Sequence, residues 1–396
     1  MLRIFCGLVV LFLLPAITWA ESSEIEPFVI ENQSSQPFSY QFHFGYEAKN
    51  VAPWTTTETI PSGDRHTIST PVPLMIRFRE GDDWKNYKLS PGRFFRFQSD
   101  SNNHGDLVLA STVIKPPQIL REIKVLAVAD TEYREHFPDW QERIRGIISG
   151  ASRHFENEFA IRFTLTAFQS WEFNARTQPK PDDKIASLQK IDLGTSELLI
   201  AFIRCIHEDK NQTVHGWTCP LAKYIIVTDA WPELAYIIPL AHREAIWRQP
   251  GFGATVTLVH ELGHAFGAFH LDNQNSIMNK LPSKIVPPRI EFDDVSRQVI
   301  LLARDVDFSH SPDSLSIEAA RNIRNLYREH RHPSEPIDAD PVTIAYRNLA
   351  ASALLSGNRT LEKTMADRAA NWWREEEAMG NHDRLPTEEP ANTGTD

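Results

Sequence analysis

The pattern of hydrophobic and polar positions changes character near residue 120 of the 396-residue chain. Before that point, apolar and polar residues alternate at a period of two in Phe38 to Phe44, and Leu74 to Phe78 and Arg93 to Phe97 look similar. Turn-forming stretches that contain Gly and Asp separate these runs, which is typical of short strands. We predict a small all-β domain, either a sandwich or a barrel, whose aromatic side chains form its core.

After residue 120, apolar strand-like runs alternate with segments of helical periodicity, which indicates an α/β (α+β) layer with a mixed sheet. The predicted strands are Ile123 to Ala129, Arg162 to Phe168, Leu198 to Ile203 and Tyr224 to Thr228, and the predicted helices are Trp140 to Ala160, Ala254 to Phe269, Val342 to Leu355 and Leu361 to Trp373. The last two helices follow a proline-rich segment, and we expect them to form a helical hairpin.

The first twenty residues differ in composition from the rest of the chain. Arg3 is followed by the short apolar run Ile4 to Leu14 and then by Thr18-Trp19-Ala20, which resembles a cleavage site. This pattern is typical of a signal peptide, because the apolar run is short for a membrane-spanning helix. We therefore expect a secreted or extracytoplasmic protein that has no membrane association after cleavage. An uncleaved membrane anchor is the alternative.

The charge of the chain narrows the classes of partner. The formal net charge is −11, and removal of the first twenty residues, in which Arg3 is the only charged side chain, makes it more negative by one. Nucleic-acid binding needs clustered Lys and Arg to neutralise phosphates. An acidic exported chain is therefore not expected to bind nucleic acid.

Two cysteines, Cys205 and Cys219, remain after signal cleavage. In an oxidising compartment they would most simply form one disulfide across a short loop, worth about 3 kcal/mol. The same loop contains His207, Asp209 and His215, so a structural metal site is the alternative.

The most informative stretch is His260-Glu261-Leu262-Gly263-His264-Ala265-Phe266-Gly267-Ala268-Phe269-His270. Histidines four apart on a helix project from one face, and two imidazoles so placed can hold one Zn²⁺ at about 2.0–2.1 Å. Glu261 can reach a metal-bound water rather than the metal. Gly267 permits the positive φ that ends a helix, so His270 can return as the third ligand. Three protein ligands with an open fourth position are typical of a catalytic zinc site.

This stretch resembles the H-E-x-x-H-x-x-G-x-x-H signature of the metzincin metallopeptidases. Metzincins also have a methionine turn beneath the zinc, and in Ser276-Ile277-Met278 the methionine stands eight residues after His270, an interval similar to that of the matrixin branch. Leu315 to Tyr327 resembles the helix that closes matrixin-like domains. The resemblance covers about residues 120 to 330.

The resemblance implies a twisted mixed sheet with an active-site helix and one catalytic Zn²⁺. It assigns Glu261 as the general base and Met278 as support of the site from below. It also implies that a substrate peptide lies along an edge strand, here Lys223 to Thr228, and that 279–288 wall the pocket beyond the cleaved bond. We expect an exported zinc endopeptidase acting on peptides or proteins. A Ca²⁺ ion is compatible with the sequence, but no residue pattern supports one.

These patterns together predict a division of the chain into six parts. They are a signal peptide (1–20), an N-terminal β domain (21–117), a metzincin-like metallopeptidase domain (118–330), a linker (331–341), a C-terminal helical hairpin (342–380) and a disordered tail (381–396).

Two other functions compete with this interpretation. An enzyme that combines H-E-x-x-H with a distant glutamate ligand would use Glu291, but the residues around Glu291 lack the E-x-x-x-D spacing of such enzymes, and His270 fits. In a non-proteolytic exported protein, the N-terminal β domain would bind a partner or a glycan. The presence of all four motif residues favours an active hydrolase. The sequence does not name the substrate or the oligomeric state.

Overall fold

The computed structural model describes residues 27–44, 54, 57–70, 74–89, 92–99, 105–111, 118–173, 181–204, 216–229, 251–273, 276–279, 290–336, 339–355 and 358–380. The predicted signal peptide and tail lie outside these residues and stay predictions. Within the described part of the chain, no helix is both long and apolar enough to cross a membrane.

The N-terminal region is all β. Its strands are β1 (Phe28–Asn32), β2 (Phe38–Phe44), β3 (Glu58–Ile60), β4 (Arg65–Ile68), β5 (Leu74–Glu80), β6 (Asp83–Leu89), β7 (Phe94–Ser99) and β8 (Gly105–Ser111). They form two four-stranded sheets, in the orders β4-β1-β7-β8 and β3-β2-β5-β6. Neighbouring strands are antiparallel, with the exception of the parallel pair β1 and β7.

The two sheets face each other across a core of aromatic side chains. Phe38, Tyr40 and Phe42 alternate along β2 and are each at most 2% exposed. The ring of Phe38 stacks on Phe97 of the opposite sheet with centroids 3.8 Å apart. The period of two therefore marks an inward face, as predicted. Because each sheet keeps its own edges, the domain is a sandwich and not a barrel.

The second region is built on a five-stranded mixed sheet. Its strands are β9 (Arg121–Asp130), β10 (Ile161–Trp171), β11 (Leu198–Ile203), β12 (Gly216–Thr218) and β13 (Tyr224–Thr228), in the order β10-β9-β11-β13-β12. All pairs are parallel except β12 with β13. Every residue of β11 is buried, which suits an apolar parallel strand covered on both faces. The predicted α/β fold class is confirmed.

Eight helices are described. They are α1 (Thr131–His136), α2 (Trp140–Phe159), α3 (Pro181–Leu188), α4 (Phe252–Ala265), α5 (Asp294–Leu302), α6 (Ile317–His330), α7 (Pro341–Leu355) and α8 (Arg359–Gly380). Helices α2 and α4 share the main core with the sheet, while α3 contributes to a smaller core that contains Trp171. Helices α7 and α8 pack on each other and form the expected helical extension.

One prediction about the sheet is wrong. The strand at Lys223 to Thr228 was expected to be an edge, but β13 has hydrogen-bonded partners on both sides, β11 and β12. Among the described strands, the edge on this side is β12, a three-residue strand that runs antiparallel to β13. Such a short segment carries too little periodicity to be recognised as a strand from sequence.

Candidate metal centre

The centre is built on α4, a helix in which all fourteen residues are buried. A helix that is apolar on every side belongs in a protein interior, and α4 packs beneath the sheet against α2. His260 and His264 lie one turn apart on this helix and are 7% and 9% exposed. The site is therefore a cluster of buried polar side chains surrounded by apolar ones.

The chain reverses direction directly after α4. The helix ends at Ala265, four residues earlier than predicted, and Gly267 has a φ of +83°. The N–H of Gly267 donates to the carbonyl of His264 at 2.7 Å, and the N–H of Ala268 donates to the carbonyl of Gly263 at 2.9 Å. This pair of bonds is a Schellman motif, which favours glycine at the position of positive φ. The turn brings His270 back towards the helix.

The three predicted ligands meet at one point. The Nε2 atom of His264 lies 3.1 Å from Nε2 of His260 and 3.2 Å from Nε2 of His270. Three nitrogens arranged around one Zn²⁺ at about 2.0–2.1 Å would be separated by similar distances. In the part of the chain that the structure describes, this is the group of side chains that could hold a metal ion.

Hydrogen bonds at the other ring nitrogens fix the tautomers of two ligands. Nδ1 of His260 lies 2.7 Å from the carbonyl oxygen of Ile277, and Nδ1 of His264 lies 2.8 Å from that of Ala268. A carbonyl oxygen only accepts, so each Nδ1 carries the proton and donates it. The Nε2 lone pairs then face one another, an arrangement that a bound cation stabilises.

Burial keeps His264 in the form that binds metals. Burial, together with a smaller contribution from the nearby His270, lowers the pKa of His264 to about 3. The imidazole is therefore neutral at physiological pH, as a metal ligand must be. The donor set of three neutral nitrogens fits Zn²⁺ and matches the ligands of catalytic zinc sites.

Glu261 directly follows the first of the three histidines on α4. It is 4% exposed, and its Oε2 atom has no hydrogen-bond partner among the described residues. Burial raises the pKa of this carboxyl well above its usual range, whereas a metal cation on the adjacent histidines would act in the opposite direction. A buried carboxylate oxygen without a partner is costly in a purely structural role.

The edge strand β12 passes close to this carboxyl. A Cβ atom on Gly216 would lie 2.7 Å from Cγ of Glu261 and 2.7 Å from Cγ2 of Thr257. The strand can lie this near α4 only because residue 216 has no side chain. Sequence reasoning did not identify Gly216, because the contact depends on how the strand packs on a distant helix.

Met278 lies against the helix that carries His260 and His264. It is fully buried, and a Cβ atom on Gly263 would approach its Sδ atom to 2.7 Å. The turn that carries Met278 is held by the N–H of Ile277, which donates to the carbonyl of Glu291 at 2.7 Å. The same turn supplies the carbonyl that fixes His260.

A second acidic residue near the site comes from the predicted linker. The carboxylate of Glu335 lies 3.6 Å from Nδ1 of His270, and the N–H of His332 donates to the carbonyl of His270 at 3.0 Å. Carboxylates beside a ligand imidazole orient the ring and raise its basicity. No periodicity or motif marks Glu335 in the sequence, so nothing there indicated its position.

Other predicted residues lie elsewhere or outside the described chain. Glu291, the alternative third ligand, is buried and lies 3.2 Å from Nε2 of His66 in the N-terminal domain. Cys219 lies just after β12, but Cys205 is outside the described residues, so the disulfide stays a prediction. The predicted pocket wall at 279–288 is described only at Asn279.

Comparison with known proteins is consistent with this geometry. A model of metallo-peptidase family M12 matches residues 120–285, which include all three histidines, Glu261 and Met278. No curated protein sequence matches the chain significantly.

Two solved structures show a distant likeness. Archaemetzincin from Methanopyrus kandleri is 16% identical over 47% of this chain and 97% of its own, with a TM-score of 0.34. Metalloproteinase-II from Bacteroides fragilis is 11% identical over 69% of this chain and 98% of its own, with a TM-score of 0.32. Residues 120–285 thus match the model of metallo-peptidase family M12, and the three convergent histidines lie within the matched residues.

Proposed function

We propose that this protein is an exported zinc endopeptidase whose metal is held by His260, His264 and His270, with Glu261 as general base. The convergence of three Nε2 atoms beside a buried carboxyl group carries the proposal. Three protein ligands leave a coordination position for water or substrate, which distinguishes catalytic zinc sites from closed structural ones.

The chemistry divides between the metal and the protein. A zinc ion held by three histidines is a Lewis acid that lowers the pKa of water and polarises a carbonyl oxygen. Glu261 accepts a proton from the attacking water and delivers it to the nitrogen of the leaving amine. Met278 and Glu335 position the ligands from below and from the side without contacting the reacting atoms.

The substrate peptide pairs with the open edge of β12 and so extends the sheet by one strand. Two observations support this edge. It is the side of the sheet where Gly216 lies against Glu261, and among the described strands β12 pairs with β13 alone. An extended peptide at this edge would run past the catalytic carboxyl group.

Two finer features also belong to the proposal. The interval of eight residues between His270 and Met278 favours the matrixin-like branch, although the matched model describes family M12. Export rests on the pattern of Arg3, the apolar run and the small residues near Ala20.

Cleavage of a diverse peptide mixture tests the function. Residues 21–396, loaded with zinc, should cleave peptides at internal bonds, and Glu261→Gln should retain one zinc per chain while its turnover falls by at least about 100-fold. His264→Ala is the matched control and should lose the zinc itself. Full activity in the Gln variant would refute the role of Glu261. No cleavage by the folded, zinc-loaded protein would refute the peptidase and favour the non-proteolytic alternative.

A further inference from the structure

A second concave site lies at the end of the edge strand. A cavity of about 420 Å³ opens between the β12–β13 turn and the C-terminal helix α7. Its size is within the range of small-ligand pockets, roughly 300–1,000 Å³. Helix α7 lies beyond the residues that match the family model, so this wall is a feature of this chain's own extension.

The cavity continues the line of β12 away from the catalytic centre. The strand begins at Gly216, against Glu261, and Trp217 and Cys219 already line the cavity. At about 3.3 Å per residue, the three steps from Gly216 to Cys219 cover about 10 Å. An extended peptide that passes Glu261 along this strand therefore reaches the cavity about three residues from the cleaved bond.

The direction of the strand decides which side of the substrate arrives there. An antiparallel partner, whose ladder is slightly more stable than a parallel one, runs opposite to β12. Its amino-terminal residues then lie towards Cys219 and its carboxy-terminal residues beyond Gly216. The cavity thus faces the part of the substrate that precedes the cleaved bond.

The walls of the cavity define the side chain that it would accept. Ile185, Trp217 and Leu349 supply apolar surface from three different elements, and Leu349 is 38% exposed. Of the described residues that line the cavity, none is acidic, and Lys223 contributes a positive charge. Burial of apolar surface is favourable here, whereas a basic side chain would meet Lys223 without a counter-charge.

We propose that this cavity is a specificity subsite for a bulky apolar side chain located about three residues before the cleaved bond. The inference deepens the proposed function and rests on it. The subsite disfavours Lys and Arg at the same position.

A matched peptide set tests the subsite on the full-length, zinc-loaded protein. The peptides keep the residues around the cleaved bond and carry Phe, Ala or Lys at the third residue before it. We expect kcat/KM to be at least about tenfold higher for Phe than for Ala, as one well-filled apolar pocket provides. Lys should be the poorest of the three. Equal values for Phe and Ala would overturn the proposal.

Two substitutions on α7 distinguish an effect of filling the cavity from an effect of placing a tryptophan anywhere on this helix. Leu349→Trp fills the cavity and should bring the Phe-to-Ala ratio close to one. Leu354→Trp makes the same change at a residue that is 41% exposed and outside the lining, and it should keep the ratio. A ratio that survives in Leu349→Trp would overturn the proposal. In an independent variant, Lys223→Glu should raise kcat/KM for the Lys peptide relative to Ala, and an unchanged ratio there would contradict the charge argument.

Binding without turnover distinguishes failure of the subsite from failure of the peptidase. Fluorescence anisotropy of the labelled Phe and Ala peptides with zinc-loaded Glu261→Ala should show the same preference. If the wild type cleaves no peptide, the proposed function fails, and the anisotropy ratio still decides the subsite. If the wild type cleaves both peptides equally and the variant binds both equally, the subsite alone fails.

Discussion

At the scale of single residues, the metal centre depends on places where a side chain is absent. Gly263 lies on α4 between the two helical ligands and directly over Met278 and Phe292. Helix interiors normally disfavour glycine, by about 1 kcal/mol relative to alanine. Here the missing Cβ allows the methionine to approach the ligand helix. The glycine is therefore explained by packing and not by backbone conformation.

Gly263→Ala should destabilise the protein by about 1–3 kcal/mol, because the added methyl group would lie 2.7 Å from Sδ of Met278 and 3.1 Å from Cε1 of Phe292. Urea unfolding measures this cost, and a zinc competition titration should show weaker metal binding. Gly146→Ala is the matched control, since its Cβ would meet no atom within 4 Å on the exposed side of α2. That variant should be more stable by about 0.5–1 kcal/mol. A stabilised Gly263→Ala would refute the packing argument.

At the scale of elements, one side chain joins the start of α5 to the methionine turn. Asp293 caps α5 by accepting from the N–H of Ser296 at 2.9 Å, and it also accepts from the hydroxyl of Ser276 at 2.5 Å. The hydroxyl oxygen of Ser276 in turn accepts from the N–H of Met278 at 3.0 Å. The helix and the turn are thus oriented by a single carboxylate, next to the carbonyl of Ile277 that fixes His260.

Asp293→Ala should therefore lower the free energy of unfolding by more than the loss of an ordinary helix N-cap does. We expect a loss of about 2–4 kcal/mol, from the cap together with the buried Ser276 hydroxyl that loses its acceptor. Zinc affinity should fall about tenfold or more, as for other groups that orient ligands indirectly. Ser316→Ala removes the cap of α6, where the hydroxyl accepts from Ala319, and serves as control. This variant should lower the free energy of unfolding by about 1 kcal/mol and leave zinc affinity unchanged. Equal zinc affinity in the two variants would contradict the connection between Asp293 and the metal centre.

At the scale of the whole molecule, the N-terminal β region is hydrogen-bonded to the segment that supports the candidate metal centre. Ser69 and Ile290 exchange backbone hydrogen bonds of 3.1 and 2.8 Å across the domain boundary. The next residue, Glu291, accepts from the N–H of Ile277, whose own carbonyl accepts from His260. An unbroken path of hydrogen bonds and adjacent residues thus connects the β-sandwich to a metal ligand.

A buried ion pair strengthens the same interface. Nε of Arg297 on α5 lies 3.1 Å from the carboxylate of Glu158 on α2, which is 1% exposed and also accepts from the N–H of Thr67 in β4 at 2.8 Å. Arg297 further donates to the carbonyl of Arg65 at 2.5 Å. The ion pair therefore links helices α2 and α5 to strand β4 of the sandwich.

Arg297→Met should lower the free energy of unfolding by about 3–5 kcal/mol, because it leaves the buried Glu158 without its charged partner. The double variant with Glu158→Gln should recover part of the loss. Arg145→Met removes an exposed pair with Glu142, whose side chains are 57% and 76% accessible, and should change stability by less than about 1 kcal/mol. Similar urea midpoints for the two single variants would show that the Arg297–Glu158 ion pair stabilises the protein no more than an exposed pair does.

The sequence alone predicted the three histidines of the candidate metal centre and the fold class. His260, His264 and His270 lie within eleven residues, so helix periodicity and one glycine turn suffice to bring them together. The alternation along β2 and the fully apolar β11 likewise follow from local patterns of burial. Met278, which the resemblance to metzincins placed beneath the site, is buried against Gly263 of α4.

Only the tertiary structure decided which strand is the edge and which distant residues surround the metal. Strand order depends on hydrogen bonds between segments far apart in the chain, so β13 could not be recognised as interior from its own sequence. Gly216 and Glu335 reach the site from segments without periodicity, and α7 closes the cavity beside β12 from beyond residue 340. These contacts join residues that are far apart in sequence, and no local spacing encodes such contacts. The three histidines lie within one helix and one turn, so their spacing in the sequence predicts that they converge. The residues around them are brought together by long-range packing, which spacing in the sequence cannot predict.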